Sequence, residues 1–313
     1  ILYLLYKIVY FTFKQEFLID FIEKYYFELI FNDYIKSPQE TRVQMSLKFI
    51  SIFLNRCVSF FSDKILDIFI QIFNTTLPMI TDTNDDYQEI KYTFYCFIST
   101  VIRSYSSSLI TLPLETINLL IEIIKLGIKS AVHTISELSL STLIDLLKTF
   151  NRVMNPEQSF EFFKHYSLSI LQFGFEILTD YEHNYEFQQN TLLIQVLFSF
   201  SYLQQNPVLA FDLICQLFPN CEPYEITLLV QSLTSSCTVS ELKDIFNDFL
   251  LMTRKNVPYD TALYAKEKEE MRENILKTFE KIPGFKQEQE TQEDPIPKEL
   301  TESINSLSIR HQG

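Results

Sequence analysis

Glycine is nearly missing: 313 residues contain four, Gly127, Gly174, Gly284 and Gly313. A phosphate-cradling loop or a dinucleotide turn needs several closely spaced glycines, so that backbone N–H groups can approach the anion. No such cluster exists, and the same scarcity disfavours an all-β chain full of tight turns. Positive charge is also short. The 26 Lys and Arg against 40 Asp and Glu leave a formal charge of −14. Nucleic-acid binding needs clustered Lys and Arg, so this balance argues against it. It suits a partner with a basic surface, and it equally suits a soluble protein kept dispersed by its own charge.

Chemistry-bearing constellations are scarce as well. The histidines are His133, His165, His183 and His311, none in an HExxH helix or beside a cysteine pair. Five cysteines, Cys57, Cys96, Cys215, Cys221 and Cys237, form an odd set, and the last three lack the CxxC spacing that grips zinc. Four of them sit among apolar residues, which predicts buried, reduced thiols. There is no GxSxG elbow and no kinase loop set. Asp85 and Asp86 lie in TDTNDDYQE without EF-hand spacing or its glycine. Asn74-Thr75-Thr76 matches a glycosylation acceptor by pattern alone. The expectation is a protein that is not an enzyme and holds no metal or cofactor.

Long apolar runs are missing too. The longest uncharged stretch, 187–211, is broken by Gln188, Gln189, Asn190, Gln195, Gln204, Gln205, Asn206 and Pro207, too many polar groups for a bilayer-spanning helix. The first residues, ILYLLYKIVYFTF, carry a Lys mid-run and no small-residue cleavage site, which makes a poor signal peptide. They read as the cut edge of a longer protein, an apolar run that would pack on a preceding repeat.

What is present is helix, pair after pair. Ser37-Pro38-Gln39-Glu40 and Asn155-Pro156-Glu157-Gln158 each combine a cap, a Pro at the first helical position and an acid or amide three residues after the cap. Thr134-Ile135-Ser136-Glu137 and Thr238-Val239-Ser240-Glu241 read as capping boxes without proline, and Pro113, Pro207, Pro223 and Pro258 mark further starts. Between them the apolar period is helical. The spans predicted are 18–35, 38–58, 63–81, 87–104, 113–130, 134–153, 156–180, 186–204, 207–218, 222–236 and 239–255. Helix pairs recurring about every 40–50 residues are the mark of a solenoid, an extended surface built by stacking.

The pattern changes near the end. Residues 1–256 form the array; 257–282 form a charged helix with a narrow apolar stripe of Tyr264, Met271, Ile275 and Phe279; 283–313 form an acidic, polar tail expected to be disordered. So narrow a stripe buries little area, so the helix is expected either to cap the array or to detach from it.

With the helices placed, their order and wording resemble the C-terminal part of the exportin-1 family, within the importin-β superfamily. The resemblance runs through FLIDFIEKYYFELIFNDYIKSPQETRVQMSLKFISIFLNR, KILDIFIQIFNTTLPMITDTNDDYQEIKYTFYCFIST, LITLPLETINLLIEIIKLGIKSAVHTISELSLSTLIDLLKTF, SFEFFKHYSLSILQFGFEILTD and EPYEITLLVQSLTSSCTVSELKDIFNDFLLMTRK. It ends on IPGF at 282–285 and IPKEL at 296–300. The resemblance implies an all-α superhelical stack of HEAT repeats and a nuclear export receptor that shuttles between nucleus and cytoplasm. It implies leucine-rich export-signal cargo, held by upstream repeats, carried together with the GTP form of Ran. It also implies contact with phenylalanine-glycine nucleoporins, and a C-terminal helix that lowers cargo affinity until Ran binds. If the second helix of each pair lines the inside, as in the family, Gln44, Lys48, Arg103, Glu137, Ser141 and Asp145 face Ran. A different class of protein also fits the helices: a static helical-repeat scaffold or regulatory subunit.

Overall fold

The computed structural model describes residues 23–81, 87–179, 187–235, 239–254 and 261–279. Among them every regular element is helical. A short π-helical turn, Glu23–Phe27, leads into α1 (Glu28–Lys36), then α2 (Gln44–Arg56), the single turn α3 (Val58–Phe61), α4 (Ile65–Thr81) and α5 (Gln88–Ser104). A second single turn, α6 (Ser106–Leu109), precedes α7 (Leu114–Ile128), α8 (His133–Val153) and α9 (Pro156–Thr179). The array closes with α10 (Phe187–Phe198), α11 (Ser201–Gln205), α12 (Pro207–Leu217), α13 (Pro223–Thr234) and α14 (Val239–Arg254), and α15 (Thr261–Phe279) follows. The solenoid expected from the helical period is the fold observed.

The pairs stack unevenly, and the unevenness sets the surfaces. The second helices run backbone against backbone, α2 on α5, α5 on α8 and α8 on α10. The first helices α4, α7 and α9 approach one another far less closely. A stack tighter on one side bends toward that side, so the second helices line the inner face. Phenylalanines fill the seams within pairs: Phe27, Phe53 and Phe61 in the first, Phe69, Phe73, Phe94 and Phe97 in the next. Phe163 stacks on Phe200 at 4.0 Å, and Phe175, Phe218 and Phe249 close the far end. Full burial of each such ring contributes roughly 1.5–3 kcal/mol before ordering entropy is subtracted.

Four buried tyrosines fasten neighbouring elements through their hydroxyls. Tyr34 of α1 shares a 2.9 Å hydrogen bond with Thr76 of α4, and Tyr105 donates to the Leu54 carbonyl of α2 at 2.6 Å. Tyr95 of α5 donates to the Ile123 carbonyl of α7 at 3.1 Å, and Tyr166 of α9 to that of Leu114 at 3.4 Å. Burial raises the pKa of all four. Tyr34 is pushed from its ordinary 10.0 to about 12.

Three local expectations give way to tertiary contacts. The cap at Ser37-Pro38 opens only a 3-10 turn, Gln39–Thr41, and α2 begins at Gln44. Arg42 is the cause: it stays extended while its guanidinium donates to the Tyr34 carbonyl at 3.3 Å and the Thr75 carbonyl at 2.8 Å. The box at Thr134 lies inside the first turn of α8, because Ser136 is buried and donates instead to the Ile128 carbonyl at 2.6 Å. The single helix expected at 186–204 breaks at Ser199 and Phe200, where Phe200 turns extended to put its ring on Phe163. The Asn155 box forms as read: Gln158 N–H donates to Asn155 Oδ1 at 2.8 Å. The glycosylation pattern is ruled out by burial, since Thr76 lies fully inside α4. Readings that rest on 1–22, 82–86, 180–186, 236–238, 255–260 and 280–313 lie outside the described residues.

Gly127 of α7 marks a close approach of a first helix to the second helices beside it. A Cβ there would meet the Tyr95 ring at 2.5 Å and the Ser139 hydroxyl closer still. Alanine would gain roughly 0.5–1 kcal/mol of helix propensity. Overpacking would cost about 1–3 kcal/mol, so the loss wins. Gly127→Ala should therefore lower the urea midpoint; a midpoint that rises would show that the two helices can part freely. The tyrosines predict a second effect. Their folded pKa values exceed the unfolded ones, so their contribution is intact below pH 10.0 and, for Tyr34, fades between there and about 12. The urea midpoint should hold up to about pH 9.5 and then fall, with a flat profile across the alkaline range counting against burial of these hydroxyls.

Candidate partner-binding surfaces

The inner face carries a polar ladder that crosses from one second helix to the next. Gln44 at the start of α2 donates through Nε2 to Glu89 Oε2 in the first turn of α5. Ser104 of α5 donates to Asn55 of α2 at 3.1 Å. Arg103 of α5 reaches Asp145 of α8, with Nε and one terminal nitrogen 2.6 and 2.5 Å from the same carboxylate oxygen. Gln189 of α10 donates to Glu137 of α8 at 3.4 Å. Lys48 is exposed one turn beyond Gln44, and Ser141 is half-buried one turn beyond Glu137. All six residues singled out from the sequence thus sit on second helices, and four of them bridge adjacent pairs. Their partners Glu89 and Gln189 escaped notice, because a surface amide or acid carries no signal of its cross-repeat neighbour.

The ladder is reversible by its chemistry. Arg103 is more than half exposed, and exposed ion pairs are worth only about 0.2–1 kcal/mol. A charged partner can exchange with such bonds at little cost. The described cysteines offer no competing chemistry. Of the four described, only Cys57 is buried; Cys96, Cys215 and Cys221 are half-buried, and all four are free thiols. The Cys96 thiol is pushed up by burial, against the opposing pull of the Tyr92 hydroxyl and the Lys48 charge. Burial and the Asp212 carboxylate raise Cys215, and burial, Glu225 and Cys215 raise Cys221. Thiols held in this way are poor nucleophiles. Among the described residues no three His, Cys, Asp or Glu side chains converge as metal ligands. No described helix is long and apolar enough to cross a membrane.

The outer face holds the charged helix. Instead of lying along the last pair, α15 packs back against α7. Ile275 is 1% exposed and joins the core, and Met271 packs against it. The side chains of Tyr264 and Phe279 lie outside the described residues. Beside the seat runs a groove of about 450 Å³ whose walls are Lys125 and Lys129 of α7, Phe173 of α9, and Glu270 and Asn274 of α15. Lys125 is buried, donates to Glu122 at 2.8 Å and Ser169 at 3.1 Å, and lies over the Phe173 ring at 5.4 Å. The other half of the α7–α9 groove is open, about 620 Å³, with Leu114, Ile117, Met154 and Phe162 in its apolar wall and Lys164 and His165 on its rim.

Comparison with known proteins agrees with this architecture. A family model described as CRM1 C terminal matches residues 1–257. Exportin 1B of Arabidopsis thaliana is 27% identical over 288 residues, covering 85% of this chain and 26% of that protein. Exportin 1A of the same plant is 26% identical over 295 residues, covering 86% and 27%. Exportin-1 of Schizosaccharomyces pombe is 25% identical over 265 residues, covering 78% and 24%. The chain spans about a quarter of the length of the curated relatives it matches.

The ladder predicts a small, salt-sensitive coupling. In a double-mutant cycle, Arg103→Ala and Asp145→Ala should couple by about 0.2–1 kcal/mol at low salt. The coupling should shrink toward zero near 1 M salt, where screening reaches about 3 Å. A coupling that survives high salt would mean the pair is a fixed strut and unavailable to partners.

Proposed function

The chain belongs to the exportin-1 family of nuclear export receptors, matching its C-terminal portion, and from that premise we propose that it works by regulated binding in a receptor for leucine-rich export signals. Cargo is held by repeats upstream of this portion. This portion supplies part of the wall that meets the GTP form of Ran, with Gln44, Lys48, Arg103, Glu137, Ser141 and Asp145 as the residues that face it. What supports the assignment is the ladder itself: these polar groups gather on the closely stacked inner helices, and their mutual bonds are weak enough to exchange. The open α7–α9 groove, apolar and on the outer face, suits the phenylalanines of phenylalanine-glycine nucleoporins. The receptor shuttles between nucleus and cytoplasm, needs no cofactor, and binds neither nucleic acid nor membrane.

Helix α15 is the regulatory element in this reading. The observation that carries it is the seat on α7, which rests on Met271 and Ile275 among the described side chains of the apolar stripe. Ile275 is fully buried and Met271 partly, so together they give at most roughly 3–6 kcal/mol before ordering entropy is subtracted. The net docking energy is then a few kcal/mol, within range of what binding of Ran and cargo can shift. Tyr264 and Phe279 complete the stripe on the sequence. One observation favours the static scaffold instead: Arg103 and Asp145 already satisfy each other. Binding to the GTP form of Ran but not to the GDP form separates the two readings.

The latch has its own test in the full-length receptor. Deleting residues 258–313 should raise cargo affinity in the absence of Ran and leave affinity in its presence nearly unchanged. Met271→Asp with Ile275→Asp should reproduce much of that gain by spoiling the seat. Equal Ran-free affinity in all three proteins would reduce α15 to a solvated cap.

A further inference from the structure

The last pair of the array is covered on one side only. α13 buries Ile226, Leu229, Val230 and Leu233, and α14 buries Leu242, Phe246, Phe249 and Leu250, on the side of the neighbouring helices α9, α10 and α12. The opposite faces are open. Tyr224 is 71% exposed, Leu228 one turn on is 44% exposed, and Leu251 of α14 is 64% exposed. α13 and α14 touch and are joined by the four residues 235–238, so they run antiparallel, and Tyr224 and Leu251 sit at the same end of the pair. A stacked array closes with a polar outer face. Here three large apolar side chains remain on it, and the charged helix that the sequence offers as a cap is seated on α7 instead.

Charge selects what covers such a face. Glu222 is exposed at the start of α13, and Asp244 and Asp248 are exposed one turn apart along α14. Leaving aside Glu241, which has a partner of its own, residues 207–254 hold Asp212, Glu222, Glu225, Asp244 and Asp248 against Lys243 and Arg254. The face is therefore apolar and negative together. Like charge disfavours what the chain itself could supply: residues 283–313 carry six acids and three bases, and a second copy brings a net charge of −14. α15 is held on its own seat by Ile275. A segment with Lys or Arg beside its apolar residues meets both features of the face.

We propose that this end of the array docks a basic amphipathic helix of a partner protein. A helix is the shape it accepts, since two antiparallel helices present a groove between them that takes a third. Apolar residues at i, i+4 and i+7 of the partner cover Tyr224, Leu228 and Leu251, and flanking Lys or Arg reach Glu222, Asp244 and Asp248. Tyr224 is the anchor, because a large rigid ring gains most from losing water at an interface. The carboxylates steer the encounter, which makes it salt-dependent. Docking here needs only the last pair and stands apart from the transport reading.

The test uses the whole chain and a synthetic helical peptide of roughly 18 residues, with leucine at i, i+4 and i+7 and lysine elsewhere, followed by fluorescence anisotropy at about 0.1 M salt. A second peptide carries glutamate in place of every lysine. The lysine peptide should bind saturably, one per chain, and slow hydrogen exchange in α13 and α14 but not in α2; the glutamate peptide should not bind. Tyr224→Ser with Leu228→Ser, and separately Asp244→Asn with Asp248→Asn, should each weaken binding by about tenfold or more while the circular dichroism stays unchanged. Should the first pair of changes disturb α13, Tyr224→Ser alone carries the same expectation. Four results overturn the proposal: no saturable binding, equal binding of the two peptides, or unchanged binding in either set of variants. The fourth is a dimer in light scattering that the Tyr224 and Leu228 changes break, which would give the face to a second copy.

Discussion

An amphipathic helix pair cannot hide its apolar face by itself, and every feature of this protein follows from the pair next door doing so. The constraint is plain where α7 meets α5 and α8. There the Gly127 backbone lies against the Tyr95 ring and Ser139, and no side chain larger than hydrogen fits. That approach places the Tyr95 hydroxyl on the Ile123 carbonyl. Burial of such hydroxyls on neighbouring carbonyls turns a row of separate pairs into a continuous core.

Because the second helices stack tightly and the first helices splay, the two faces acquire different chemistry. The inner face brings polar side chains of adjacent pairs within hydrogen-bonding reach, which produces the ladder from Gln44 to Gln189. The outer face opens grooves between first helices. One half of the α7–α9 groove is wide and apolar; beside the other lies α15. Weak surface bonds inside and shallow seats outside both suit a protein whose partners come and go. A rigid interior carries two surfaces that can rearrange at low cost.

The fold was largely legible from the chain, and the reasons are local. Proline at helix starts, the Asn155 box and an apolar stripe every three or four residues act within one helix, so no neighbour is needed to read them. Where reading failed, a distant partner had intervened. Arg42 reached two carbonyls and delayed α2; Ser136 was taken by the Ile128 carbonyl; Phe200 broke a helix to stack on Phe163. Arg42 on Thr75 and Phe200 on Phe163 are contacts across tens of residues, and Ser136 reaches back to the end of the preceding helix; none is visible in the local pattern of a cap or a turn.

The surfaces divide in the same way. Helical phase alone places Gln44, Arg103, Glu137 and Asp145 on the polar side of their helices, and composition alone marks residues 257–282 as charged with a thin apolar stripe. Which polar residue bonds to which, and where the thin stripe lands, depends on superhelical geometry that no local pattern encodes. Arg272 shows the limit most plainly. Among the charges of its helix it reads as one more solvated residue, and only the packing of α15 across the end of α7 buries it beside Lys91. Periodicity along the chain determined the helices and their faces; how the helices pack, as at Gly127 and the buried tyrosines, decided what those faces touch.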